Sequence, residues 1–158
     1  MDAKGFDPHD HGTCIAQGVA AADADCQRRG LQFTPVRRRV LEILLKEHRA
    51  LGAYDVLEVL RDEGLGSQPP VAYRALDFLT RNGFAHRIER LNAFVACTRP
   101  GETHAPAFLI CRLCDAIAEA TVDVTQSGIG EAADKAQFQV ETVTVEAMGL
   151  CPACQVAA

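Results

Sequence analysis

Cysteine pairs supply the plainest chemistry in this sequence. Two residues separate Cys111 from Cys114, and Cys151 and Cys154 repeat the spacing near the C-terminus. A Cys-x2-Cys turn lets two thiolates reach one ion, so two such turns complete a tetrahedral set for Zn2+. Four thiolates leave the metal no open position, which makes this a structural site. A thioredoxin-like redox pair would explain one Cys-x2-Cys and not its partner. Seven cysteines, an odd number, fit reduced thiols holding metal better than a secreted disulfide scaffold.

A second metal set follows from strand pairing. The alternating stretches 84–90 and 93–97 read as a hairpin, and a turn symmetric about Leu91-Asn92 puts His86 opposite Cys97. If the Cys111–Cys114 knuckle joins two antiparallel strands in matching register, Glu119 faces Pro106 and His104 is its diagonal neighbour. Cross-strand partners have Cβ atoms ~4.5–5.5 Å apart, close enough to share an ion. Both pairs adjoin residues 99–103, so His86, Cys97, His104 and Glu119 make an N, S, N, O set. Each alone has an ordinary reading, as a structural histidine, a buried cysteine or a solvated glutamate; the combination is what points to metal. One thiolate and one carboxylate neutralise Zn2+, so this site should release its ion more readily than the four-thiolate one. The single thiolate favours zinc over Mn2+, with Fe2+ between them. The sequence thus implies two Zn2+ per chain. His9, His11 and Cys14 offer a weaker third grouping, for which loose surface histidines are the preferred reading.

The elements that must hold these residues fall into two parts. Residues 1–12 lack apolar periodicity and read as a flexible tail. An alanine-rich helix over 15–29 ends at Gly30, and Cys26 reads as a small buried hydrophobe. Thr34-Pro35 opens a second helix, with threonine as N-cap and proline where no N–H is needed. A third runs over 53–62. A fourth starts at Pro69-Pro70 and stops at Gly83, with Ala72, Ala75, Leu76 and Leu79 facing inward and Tyr73, Arg74, Asp77 and Arg81 outward. Helices followed by a hairpin describe a winged helix-turn-helix over 13–98. After a 99–103 hinge, strands over 107–111 and 116–122, a helix over 130–136 and valine-threonine alternation over 138–148 make a small α/β domain, 104–158. The fold class is α+β.

Charge agrees with that division. Residues 1–26 carry one basic and five acidic side chains, residues 27–100 thirteen and eight, and residues 101–158 two and eight. The chain as a whole carries −5, so its acidity hides a basic middle, and the commonest partner for such a segment is nucleic acid. Tyr73 and Arg74, early in the fourth helix, are placed to read base edges in the major groove. Arg37, Arg38 and Arg39 crowd a helix first turn, where the dipole disfavours cations. Either they form a solvated face or they meet phosphates.

With 158 residues and 48% hydrophobic composition, the chain suits one ordinary domain or two small ones. It shows no membrane-spanning run and no signal-like N-terminus, so a cytoplasmic location is expected. An enzyme is disfavoured: the zinc deaminase pattern needs His-x-Glu with Pro-Cys-x2-Cys, whereas Cys151-Pro152 has the order reversed. A zinc-binding interaction module that does not touch DNA is the other reading.

Leu31-Gln-Phe-Thr-Pro-Val-Arg37, Ala53-Tyr-Asp-Val-Leu57, Pro69-Pro-Val-Ala-Tyr-Arg-Ala-Leu-Asp-Phe-Leu79, Asn82-Gly-Phe-Ala-His86 and Gly149-Leu-Cys-Pro-Ala-Cys154 together resemble the ferric uptake regulator family, most closely its zinc-responsive branch. The resemblance covers residues 26–154. It implies a homodimeric repressor of zinc-uptake genes, binding a twofold-symmetric double-stranded operator, with no membrane partner and no small-molecule substrate. It also implies both metal sites on the residues that spacing nominates. Two departures stand out: the family's Thr-Val-Tyr-Arg is Val71-Ala72-Tyr73-Arg74, and the histidine-rich run before the first Cys-x2-Cys is reduced to His104. The second argues against iron or peroxide sensing, the alternatives within the family.

Overall fold

The computed structural model describes residues 5–6, 10–47, 49–102 and 105–157. Contacts divide the chain into two units, one of residues 7–102 and one of residues 103–158 together with 1–6. Both mix helices with small sheets, an α+β architecture.

In the first unit, α1 spans His11–Arg29, α2 Pro35–Lys46, α3 Ala53–Asp62 and α4 Pro69–Arg81. The expected flexible tail ends sooner than residue 12. Asp10 caps α1 by accepting from the Gly12 N–H at 3.0 Å and the Thr13 hydroxyl at 2.7 Å, so the helix starts at His11. Gly5 lies against the Ile117 carbonyl of the second unit's sheet, where a Cβ would collide. Gly30, at φ 68, closes α1 in the left-handed conformation that glycine adopts without a Cβ clash. Thr34 caps α2 and Pro35 opens it. Pro69 and Pro70 occupy the first turn of α4, whose N-cap Gln68 provides no side-chain bond.

Val40, Leu44, Val56, Leu57, Leu60, Leu76 and Leu79 close the core between α2, α3 and α4. Phe84 follows α4 into that core and packs at tilted angles on Phe33 and Phe78, with ring centroids 6.5 and 6.4 Å away. The wing is an antiparallel pair, β1 Ala85–Ile88 and β2 Ala93–Ala96, joined by a 3-10 turn over Glu89–Leu91. Asn92 ends that turn at φ 47, a left-handed position that asparagine tolerates. Leu51 and Phe94 exchange two backbone bonds, 2.9 and 2.8 Å, and add a short third rung.

The second unit holds a three-stranded sheet in the order β4-β3-β5. β3 Pro106–Cys111 runs antiparallel to β4 Ile117–Thr121 and parallel to β5 Val145–Gly149. α5 spans Gly128–Lys135 and α6 Pro152–Ala157. The strand expected over 138–148 is confined to Val145–Gly149, because 138–144 pair with no strand among the described residues and are largely exposed. No described helix is long and apolar enough to cross a membrane.

Candidate metal centre

Parallel pairing explains how cysteines forty residues apart in sequence meet. Cys111 ends β3 opposite Gly149, the last residue of β5, so both strands deliver their C-terminal ends to one edge of the sheet. The first knuckle then turns back, with Cys111 donating its N–H to the Ala116 carbonyl at 2.9 Å and Asp115 donating to the Cys111 carbonyl at 3.0 Å. Asp115 takes φ 59 to complete the turn. On the other side Cys151 follows β5, and Pro152 starts α6, which carries Cys154.

The four sulfurs of Cys111, Cys114, Cys151 and Cys154 lie within 4.8 Å of one another, and the Cys114 and Cys151 sulfurs are 3.7 Å apart. A disulfide would need ~2.05 Å. A tetrahedron of sulfurs at ~2.3 Å from Zn2+ has edges of about 3.8 Å, so the donors fit that ion. Acidities support the same conclusion. Backbone N–H groups of Cys151, Cys114 and Leu113 aim at the Cys111 sulfur and lower its pKa to about 6. Cys154 is pushed up to about 12, because the thiols of Cys151, Cys114 and Cys111 share its sulfur and a further negative charge would join theirs. Were all four ionised, so small a space would require a cation.

The other predicted ligands lie on both units. The expected register of the wing is off by two: His86 faces Val95, while Cys97 donates its N–H to the Phe84 carbonyl at 2.9 Å. The 3-10 turn centres the hairpin one position earlier than Leu91-Asn92. A shift of two preserves the face. His86 and Cys97 therefore remain diagonal neighbours, a ring nitrogen and the sulfur within 4.8 Å. The Arg99 N–H donates to the Cys97 sulfur at 3.3 Å. In β4, Glu119 faces Phe108 and not the expected Pro106, whose partner is Thr121. Glu119 is 5% exposed, the one buried charged side chain among the described residues. His104 lies outside the described residues, as does His9. His11 and Cys14 sit on α1 and join no group of three or more ligand atoms among the described residues.

Tyr73 and Arg74 project from the first half of α4 into solvent, Tyr73 being 47% exposed. The three arginines of α2 are engaged within the fold. Arg37 stacks over the Phe78 ring, 3.8 Å from its centroid, and donates to the Gln32 carbonyl. Arg38 pairs with Asp23 of α1 at 3.1 Å and lies over Phe33. Arg39 forks onto Glu63 at 2.7 and 2.6 Å and reaches Glu42 at 2.9 Å. Those carboxylates and aromatic faces offset the unfavourable end of the dipole. Glu42, Gln32 and Phe33 are local, but nothing in the local sequence signals Asp23, Glu63 and Phe78, which come from elsewhere in the chain.

Comparison with known proteins decides the lineage. The sequence model of the Ferric uptake regulator family matches residues 28–148. The chain belongs to that family. The Zinc uptake regulation protein of Escherichia coli (strain K12) is 36% identical over 143 residues, which span 90% of this chain and 84% of that protein. A solved zinc uptake regulator complexed with zinc and DNA matches with a TM-score of 0.84 at 35% identity, covering 90% of this chain and 96% of that one. Holo XcZur matches with a TM-score of 0.79 at 38% identity, covering 90% and 99%. For this family member, the first unit is the winged-helix part and the second carries the four-cysteine centre.

Proposed function

We propose that this chain is a zinc-dependent, DNA-binding repressor of zinc-uptake genes. The observation that carries the reading is its likeness, over nine-tenths of its length, to a regulator solved with both zinc and DNA. It acts in the cytoplasm as a homodimer on a twofold-symmetric operator, without turning over a substrate. Two Zn2+ bind each chain. Cys111, Cys114, Cys151 and Cys154 hold the structural ion. His86 and Cys97 from the first unit, with His104 and Glu119 from the second, hold the regulatory one.

The ion at that second set supplies, when bound, a cross-link of fixed geometry. His86 offers a ring nitrogen, Cys97 a buried sulfur that accepts the Arg99 N–H, and Glu119 a buried carboxylate. Ligands drawn from both units make their orientation depend on metal, and a dimer presents its two α4 helices at operator spacing only when that orientation is set. Tyr73 and Arg74 read the bases. Arg38, with one carboxylate partner where Arg39 has two, is the α2 arginine proposed to meet a phosphate, while Arg37 and Arg39 hold the helices together.

Dimerisation is supported by unpartnered apolar surface in the second unit. α5 buries no residue, Phe138 is 68% exposed, and Val140 and Met148 are also exposed. A second copy of this unit is the partner such a surface fits.

The test is operator selection from a random duplex pool with zinc, with Fe2+ and with chelator. Enrichment of a twofold-symmetric site with zinc alone is the expected outcome. Enrichment with Fe2+ and not zinc would replace the reading with an iron sensor, and no enrichment would leave a zinc-binding interaction module.

A further inference from the structure

The last turn of α4 is gripped by arginines from two other helices. Arg29, at the end of α1, donates from Nη1 to the Asn82 carbonyl at 3.2 Å and from Nη2 to Asn82 Oδ1 at 2.9 Å. Asp25, one turn earlier on α1, holds the same guanidinium at 2.9 Å. Asn82 is the C-cap of α4, and its Nδ2 donates to the Phe78 carbonyl at 2.8 Å. Arg37 of α2 lies over the Phe78 ring, 3.8 Å from its centroid. Arg29 lies at the negative end of the α4 dipole, where charge of that sign is favoured.

This grip sits at the far end of the helix from the residues assigned to base reading. Tyr73 lies nine positions before Asn82, about 13 Å along the axis at ~1.5 Å per residue. A tilt of about 5° pivoting on the last turn would move Tyr73 by ~1.2 Å, more than the ~0.5 Å span of good hydrogen-bond lengths. Leu76 and Leu79, fully buried, set how deeply α4 sits. Apolar packing seats the helix but lacks the directionality of a hydrogen bond at its end. The Arg29 fork on Asn82 is directional and restrains it.

We propose that Arg29 is a positioning residue for DNA readout, acting through Asn82 on the tilt of α4 and not through contact with phosphate. The proposal rests on the repressor reading above. It gives α1, which precedes the three helices of the winged motif, a role in specificity.

The test uses the full-length, zinc-loaded protein, a duplex that the wild type selects from a random pool, and a scrambled duplex of equal composition. Arg29→Gln and Asn82→Ala should each weaken binding to the selected duplex about tenfold, the scale of one lost base contact. Binding to the scrambled duplex and the salt dependence of both should be unchanged. The double variant should be no weaker than Arg29→Gln alone, which breaks both bonds, whereas Asn82→Ala removes the Oδ1 bond of the same link and keeps the carbonyl one. Asn82→Ala preserves every charge and carries the test by itself if Arg29→Gln does not fold. Unchanged affinity would overturn the proposal, and so would additive losses. Equal loss on both duplexes, with a salt slope shallower by about 0.9, would make Arg29 a phosphate contact instead. If the wild type selects no duplex, the repressor reading falls and the inference with it; if it selects one that Arg29→Gln binds equally well, the inference alone falls.

Discussion

The sulfur of Cys114 stands 3.7 Å from that of Cys151, thirty-seven residues away, which is the edge length of a zinc tetrathiolate and far too long for a disulfide. The second unit has a small core, with Ala107, Phe108, Ile110, Ile117 and Ala118 as its main buried apolar residues. Zinc at the proposed four-cysteine site would therefore contribute a large share of its folding free energy; structural zinc in small domains is worth roughly 10–16 kcal/mol. Cys114→Ser should lose one zinc per chain by elemental analysis, with fast amide exchange in β3 and β5 while α2 and α4 stay protected. Retention of two zinc ions with native protection would contradict the assignment.

Arg74 is exposed on the outer face of α4 and carries base reading in this account. Arg74→Ala should weaken operator binding by ~1–3 kcal/mol and relax the preference at one base pair of each half-site. Quantitative binding to a panel of single-base operator variants measures this. A uniform loss across the panel would reassign Arg74 to the backbone.

Arg39 should behave differently. Its fork holds the Glu63 carboxyl below its ordinary pKa of 4.5. A lowered folded-state pKa means that the pair contributes stability fully above about that ordinary value and loses it as pH falls through the folded one. Arg39→Ala should therefore melt at a lower temperature than wild type at neutral pH, with the difference shrinking on acidification below pH 4.5. Salt dependence of DNA binding should not change. A shallower salt slope would restore Arg39 as a phosphate contact.

Phe138 is the most exposed aromatic of the second unit. Phe138→Glu should raise the dimer dissociation constant by at least tenfold in sedimentation experiments, since burying an unpaired carboxylate costs several kcal/mol. Zinc content per chain should remain two. An unchanged dimer would move the interface elsewhere.

Local chemistry made much of this fold readable. Thr34-Pro35 and Pro69-Pro70 start helices because capping and a missing N–H act within one turn, and Cys-x2-Cys declares itself through spacing. Non-local geometry was not readable. The wing register depends on Asn92 adopting a left-handed conformation after a 3-10 turn, so pairing slid by two, although the face shared by His86 and Cys97 survived. Asp23, Glu63 and Phe78 engage the α2 arginines from other helices, and no local pattern shows that. Valine-threonine alternation over 138–144 reads as a strand, yet a strand needs a neighbour and the described chain supplies none there.

The central claim is that zinc at the second ligand set, and not the structural ion, governs operator binding. Cys97→Ser removes its thiolate and leaves the four-cysteine centre intact. Titrating zinc into the wild type and Cys97→Ser while following operator binding measures the claim directly. The account predicts a folded Cys97→Ser dimer holding one zinc per chain, whose operator affinity is low and insensitive to zinc. Full zinc-dependent binding by Cys97→Ser would contradict it.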